Sequence, residues 1–266
     1  MKILYLLPCV ALLGLSLASQ SVWAASDAAR DPHGYSGGYT LTNSPYTQAA
    51  TPQLKLADEH IFKSLLGNRF EYDIENKVGL FEVRGWVGST YERLVFQAEG
   101  EIEDTALEES KVELLWNHGL NPFWNSQIGM RADVLPEGEN RQWLVFGLQG
   151  LAPYWFEVDV AGFIGEEGRS GIALELEYEL LFTQKIILQP TAAFEISGKN
   201  DEVNGIGHGL SNSEIGLRLR FEYTRQFAPY VGIERYRLSG KTASYAKNSG
   251  ESKSETSYVA GVRFWF

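Results

Sequence analysis

Three glutamates at every second position, Glu175, Glu177 and Glu179, lie between Ile172, Leu174, Leu176, Tyr178, Leu180 and Phe182 in the segment SGIALELEYELLF. On an extended strand, alternate side chains point to opposite faces. The spacing therefore stacks three carboxylates on one face and an unbroken oily row on the other. Glu157 and Asp159 alternate in the same way with Phe156, Val158 and Val160. Together the five acids form a candidate cluster that must be neutralised, either by basic side chains or by mobile cations. Arg93, Arg131, Arg218 and Arg220 sit on other alternating segments and are the candidate basic partners. Of the two answers the spacing favours ion pairing, because oxygen ligands alone discriminate poorly among transition-metal ions.

The softer ligands are few. His33 in DPHGYSGGY and His60 in ADEHIF are the candidate metal ligands, with His118 and His208 weaker ones. Met130 is the single methionine apart from Met1, so a thioether site cannot be built from it alone. The one cysteine, Cys9, lies in an apolar leader, so thiolate metal sites and disulfides are not expected. The sequence holds no G-x-S-x-G, and the serines weighed as partners of His118, Ser110 and Ser126, are distant from it in sequence, so nothing supports a nucleophile. An enzyme is not expected. A formal net charge of −11 argues against a nucleic-acid partner.

These residues need elements to hold them. Lys2, the apolar run Ile3 to Leu17 and the small residues Val22 and Ala24 read as a signal peptide over 1–24. Residues 25–66 are rich in Ser, Thr, Gly, Pro and Ala and read as a flexible periplasmic arm, in which LADEHIFKSLLG is expected as a short helix. From Arg69 a period of two takes over and runs to Phe266. It predicts twelve strands, at about 69–76, 80–88, 93–103, 108–118, 123–134, 141–151, 155–165, 171–182, 185–197, 212–224, 228–239 and 256–266. Tight turns alternate with longer polar loops such as GKNDEVNGIGHGLSN and SGKTASYAKNSGESKSET. The closing strand SYVAGVRFWF carries an apolar face and a terminal aromatic.

The expected fold is therefore all-β: an antiparallel up-and-down transmembrane β-barrel over 67–266, monomeric, in the lipid of the outer membrane. Trp116, Phe123, Trp124, Tyr154, Trp155, Phe227 and Tyr230 are expected as an aromatic girdle beside the short turns.

Several long stretches then resemble the copper resistance protein B family: DPHGYSGGY, GWVGSTYERLVFQAEGE, NPFWNSQIGMR, the run Phe146–Pro190, GIGHGLSNSEIGLRLRFEYTRQFAPYVG and SYVAGVRFWF. The resemblance implies an outer-membrane barrel of copper homeostasis or resistance. It would bind copper ions loosely or assist their movement across the membrane, beside periplasmic copper-handling proteins. Family members often carry an arm rich in Met and His. Here the arm has His33 and His60 but no methionine between Ala25 and Leu66. A structural or general small-solute barrel with no specific copper site is the alternative.

Overall fold

The structure, a computed structural model, describes residues 60–266 apart from 104–105 and 136–137. The leader, most of the arm and His33 fall outside them. One antiparallel sheet closes on itself. Its strands are β1 (Phe62–Asp73), β2 (Val78–Gly88), β3 (Glu92–Glu103), β4 (Ala106–Gly119), β5 (Trp124–Val134) and β6 (Arg141–Ala152), followed by β7 (Phe156–Gly165) and β8 (Ser170–Glu177, resuming at Leu180–Leu181). The wall is completed by β9 (Ile186–Ser197), β10 (Gly209–Phe221), β11 (Phe227–Leu238) and β12 (Ser254–Trp265). Each strand pairs with its sequence neighbours, and β12 returns to β1 in the register Leu66↔Trp265 to Asp73↔Val259. Backbone bonds between Leu65 and Phe266, 2.9 and 2.8 Å, finish that seam. Closure leaves no sheet edge, which is what a strand protein needs where no water can satisfy backbone groups.

The usual inside-out arrangement is inverted. Ile128, Met130, Leu144, Phe146, Ile215 and Val231 are exposed on the outside, while Glu71, Asp133, Arg218 and Arg220 are buried within. Among the described residues no second sheet covers it, and the apolar outer face is a lipid face.

β1 begins at Phe62, not at Arg69, so residues 62–66 form strand where a helix was expected. The cause is a β-bulge between Gly67 and Arg69. It reverses which parity faces inward: Ser64 and Leu66 pair with Trp86 and Arg84, but beyond the bulge Arg69 pairs with Glu82. A simple period of two is broken at that point, and the strand reads as irregular sequence.

β8 is interrupted at Tyr178–Glu179 because Pro190 of β9 lies opposite. Tyr178 donates to the Pro190 carbonyl, 3.1 Å, but proline has no N–H to return. The loop between β11 and β12 holds a helix, α1 (Gly240–Ser249), that its polar composition did not announce. Gly250, at φ 89°, ends it in the left-handed conformation that glycine adopts freely.

Candidate functional site: the lumen

Alternation and register together decide what faces inward. On β7 and β8 the pairing sets Glu157 opposite Glu177 and Asp159 opposite Glu175, so four of the five expected acids form two facing pairs. Like charges directly opposite each other on neighbouring strands destabilise a sheet. The relief is partial. Glu179 is paired by Arg220, with Arg263 at 3.4 Å. Glu177 has Arg263 as its one ion-pair partner among the described residues, 3.8 Å from Oε1. Gln127 donates to Asp159 at 3.3 Å. Glu157 and Glu175 have no ion-pair partner among the described residues.

The four arginines expected as partners divide. Arg220 alone meets the cluster. Arg218 is spent elsewhere, clamping Glu71 at 2.7 and 3.1 Å and reaching Glu234 at 2.5 Å. The Tyr230 hydroxyl donates to the same Glu71 carboxylate at 2.9 Å. Tyr230 is thus a buried lumen residue and not part of the girdle: its even position on β11 shares the face of Glu234, and nearness to a turn does not override that parity. Arg131 pairs with Asp133 at 2.6 Å and lies over the Phe163 ring. Arg93 lies over Trp86 and donates to the carbonyls of Ser89 and Thr90. Arg263, which the acids do use, was legible only as an inward position on the closing strand.

Two further features complete the lumen. Val95, Leu115, Val145 and Phe163 form a buried apolar patch on one wall, with Trp143 against it. Lys111 of β4 bonds Glu99 at 3.2 Å and also reaches Glu195 of β9, on the far wall, at 3.6 Å. At the end carrying the short turns, Arg84, Trp86, Arg93, Asn117, Gln149 and Arg263 line a cavity of about 350 Å³.

At the opposite end the loops are clasped. Arg141 donates to both oxygens of Asp201, at 2.9 and 3.1 Å, and Arg169 approaches at 3.4 Å. Burial disfavours the Asp201 carboxylate, but these hydrogen bonds and charges outweigh it and hold its pKa below the ordinary aspartate range. Asn204 exchanges bonds with Glu139, and Thr242 of α1 accepts from the Gly207 amide at 2.9 Å.

The histidines do not converge. His60 is exposed just before β1. His118, on the outer face near the short turns, lies 2.6 Å from Glu92 through Nδ1. His208 is in the β9–β10 loop. Among the described residues no group of three or more His, Cys, Asp or Glu is set to hold a metal ion.

Comparison with known proteins gives a consistent picture. The family described as "Copper resistance protein B precursor (CopB)" matches residues 61–266. A copper resistance protein B homolog of Pseudomonas syringae pv. tomato is 44% identical over 186 residues, 70% of this chain and 63% of that protein. Copper resistance protein B of Escherichia coli is 39% identical over 186 residues, 70% of this chain and 62% of its own length. The chain thus spans just under two thirds of these relatives. Among solved structures the NanC porin superposes with a TM-score of 0.50 at 13% identity, covering 76% of this chain and 99% of the porin. That likeness carries the barrel fold alone.

Proposed function

Since the chain belongs to the copper resistance protein B family and forms an outer-membrane barrel, we propose that it serves copper resistance by drawing copper ions to the turn end of its lumen and assisting their passage. The observation that carries this reading is the facing of Glu157 with Glu177 and of Asp159 with Glu175, where Glu157 and Glu175 have no ion-pair partner among the described residues. Two carboxyl groups without basic partners on adjacent strands offer oxygens to which a cation can bind in place of their protons. Copper is cargo here, not a resident cofactor. Oxygen ligands without imidazole, thioether or thiolate hold cupric ion weakly, and a pathway needs sites that release as well as bind. His33 and His60 would serve as first contacts on the arm, and periplasmic copper-handling proteins would meet the same end of the barrel.

A second reading has its own support. The dispersed histidines and the lack of a three-ligand group among the described residues fit a barrel for small solutes in general. One variant separates the two. Glu157→Gln with Glu175→Gln removes repulsion and no ion pair, so the barrel should assemble normally. Copper tolerance in a deletion strain and cation conductance in planar bilayers should both fall several-fold. Tolerance and conductance equal to wild type would discard the copper path. Copper bound by the purified protein should be removable by dialysis.

A further inference from the structure

In its loop half the outer face of the barrel carries charge at one place among the described residues. Glu234 turns inward to Arg218, so its neighbours Arg235 and Arg237 face away from the lumen. Among the described strand residues facing outward, they are the only charged ones in the loop half of the barrel. Both are exposed, and neither has a carboxylate within ion-pair distance among the described residues.

Their height on the wall is set by their neighbours. Arg235 pairs with Ile215 on β10 and Thr256 on β12, and Arg237 with Ser213 and Ser254. Ile215, level with Arg235, and Ile233 and Tyr258, just toward the membrane centre, are exposed apolar side chains. The wall therefore changes from hydrocarbon-facing to hydroxyl-bearing at the level of these arginines. A charge on the lipid face is costly at mid-membrane and tolerated only near the interface. Longer loops lie outward in such barrels, so this is the interface of the outer leaflet.

Charge accumulates around them. Residues 235–253 hold Arg235, Arg237, Lys241, Lys247 and Lys253 against Glu251 alone, in a chain of net charge −11. A cavity of about 580 Å³ opens between the outer side of β11, the start of α1 and the start of β12, lined by Arg235, Arg237, Lys253, Ser239 and Ser254 among others. Paired guanidinium groups match phosphate oxygens in shape and charge, and a lysine adds a point charge. From these placements we infer that Arg235, Arg237 and Lys253 form a docking site for the phosphate of an anionic outer-leaflet lipid. The acyl chains of that lipid would lie along Ile215, Ile233 and Tyr258. The site rests on the barrel and its orientation, and is independent of the copper path.

The test uses the full chain in detergent, freed of native lipid, with retained lipid read by native mass spectrometry. Bisphosphorylated lipid A should be retained, and its retention should drop at least tenfold when sodium chloride is raised to about 0.5 M, because exposed charges are screened. Dephosphorylated lipid A should be retained at least tenfold less. Arg235→Gln, Arg237→Gln and Lys253→Gln together should abolish the difference between the two lipids, while Arg235→Lys with Arg237→Lys should keep part of it. Equal retention of the two lipids by the wild-type chain would overturn the inference without recourse to any variant. Displacement of lipid A by millimolar inorganic phosphate would overturn it too, by showing a site for free anions.

Discussion

Glu71 is the most committed side chain in the lumen. It is fully buried, takes both nitrogens of the Arg218 fork and accepts the Tyr230 hydroxyl as well. Such a cluster adds little net stability over an apolar core, but removing one member strands the rest. Glu71→Ala should therefore cost about 3–5 kcal/mol, read by urea unfolding of the barrel in lipid vesicles. Glu175→Gln, which strands no partner, should cost less than about 0.5 kcal/mol. Similar losses for the two would show that position in the lumen, and not pairing, sets the cost. Which arginine meets which acid could not be read in advance. Arg218 and Glu71 are separated by 147 residues, and their meeting depends on how far each strand is staggered against the next. Alternation tells only that both face inward.

Most elements were legible, because lipid on one side and charge on the other force a period of two along each strand. Failures fell where a local device breaks that period. The bulge before Arg69 hid the first segment of β1, and Pro190 cut β8 in two without changing its alternation. The helix α1 escaped notice because the residues it buries, Thr242, Ala243 and Ala246, are small and leave no oily stripe. The loops around it carry a pH dependence through Asp201, whose folded carboxyl titrates below the ordinary aspartate value of 3.8. The clasp to Arg141 and Arg169 therefore contributes fully above that value and is lost as pH falls through the lower, folded one. Proteolysis of the β9–β10 loop should stay slow down to about pH 4 and accelerate below. Asp201→Asn should be cleaved faster at neutral pH and show little further change in acid; an unchanged rate at neutral pH would mean that the clasp does not hold the loop.

At the scale of the whole molecule, every strand has two neighbours and the last ladder is finished by Leu65 and Phe266. Such a closed wall resists unfolding in detergent until boiled, so the folded chain should migrate faster than the boiled chain on gels. Deleting Phe266 removes both closing bonds and should reduce the fast-migrating fraction in membranes; an undiminished fraction would show that the seam holds without them.

Lys111 has a mechanical meaning beyond its charge. A ring of hydrogen-bonded strands is stiff along each strand but compliant in cross-section, and twelve of them enclose more room than their inward side chains fill unaided. From β4 Lys111 touches Glu195 on β9, five strands around the wall, and so acts as a strut across the bore. Braced in this way, the aspect ratio of the bore is set from within, and lateral pressure from the bilayer works against an internal spar instead of an empty tube.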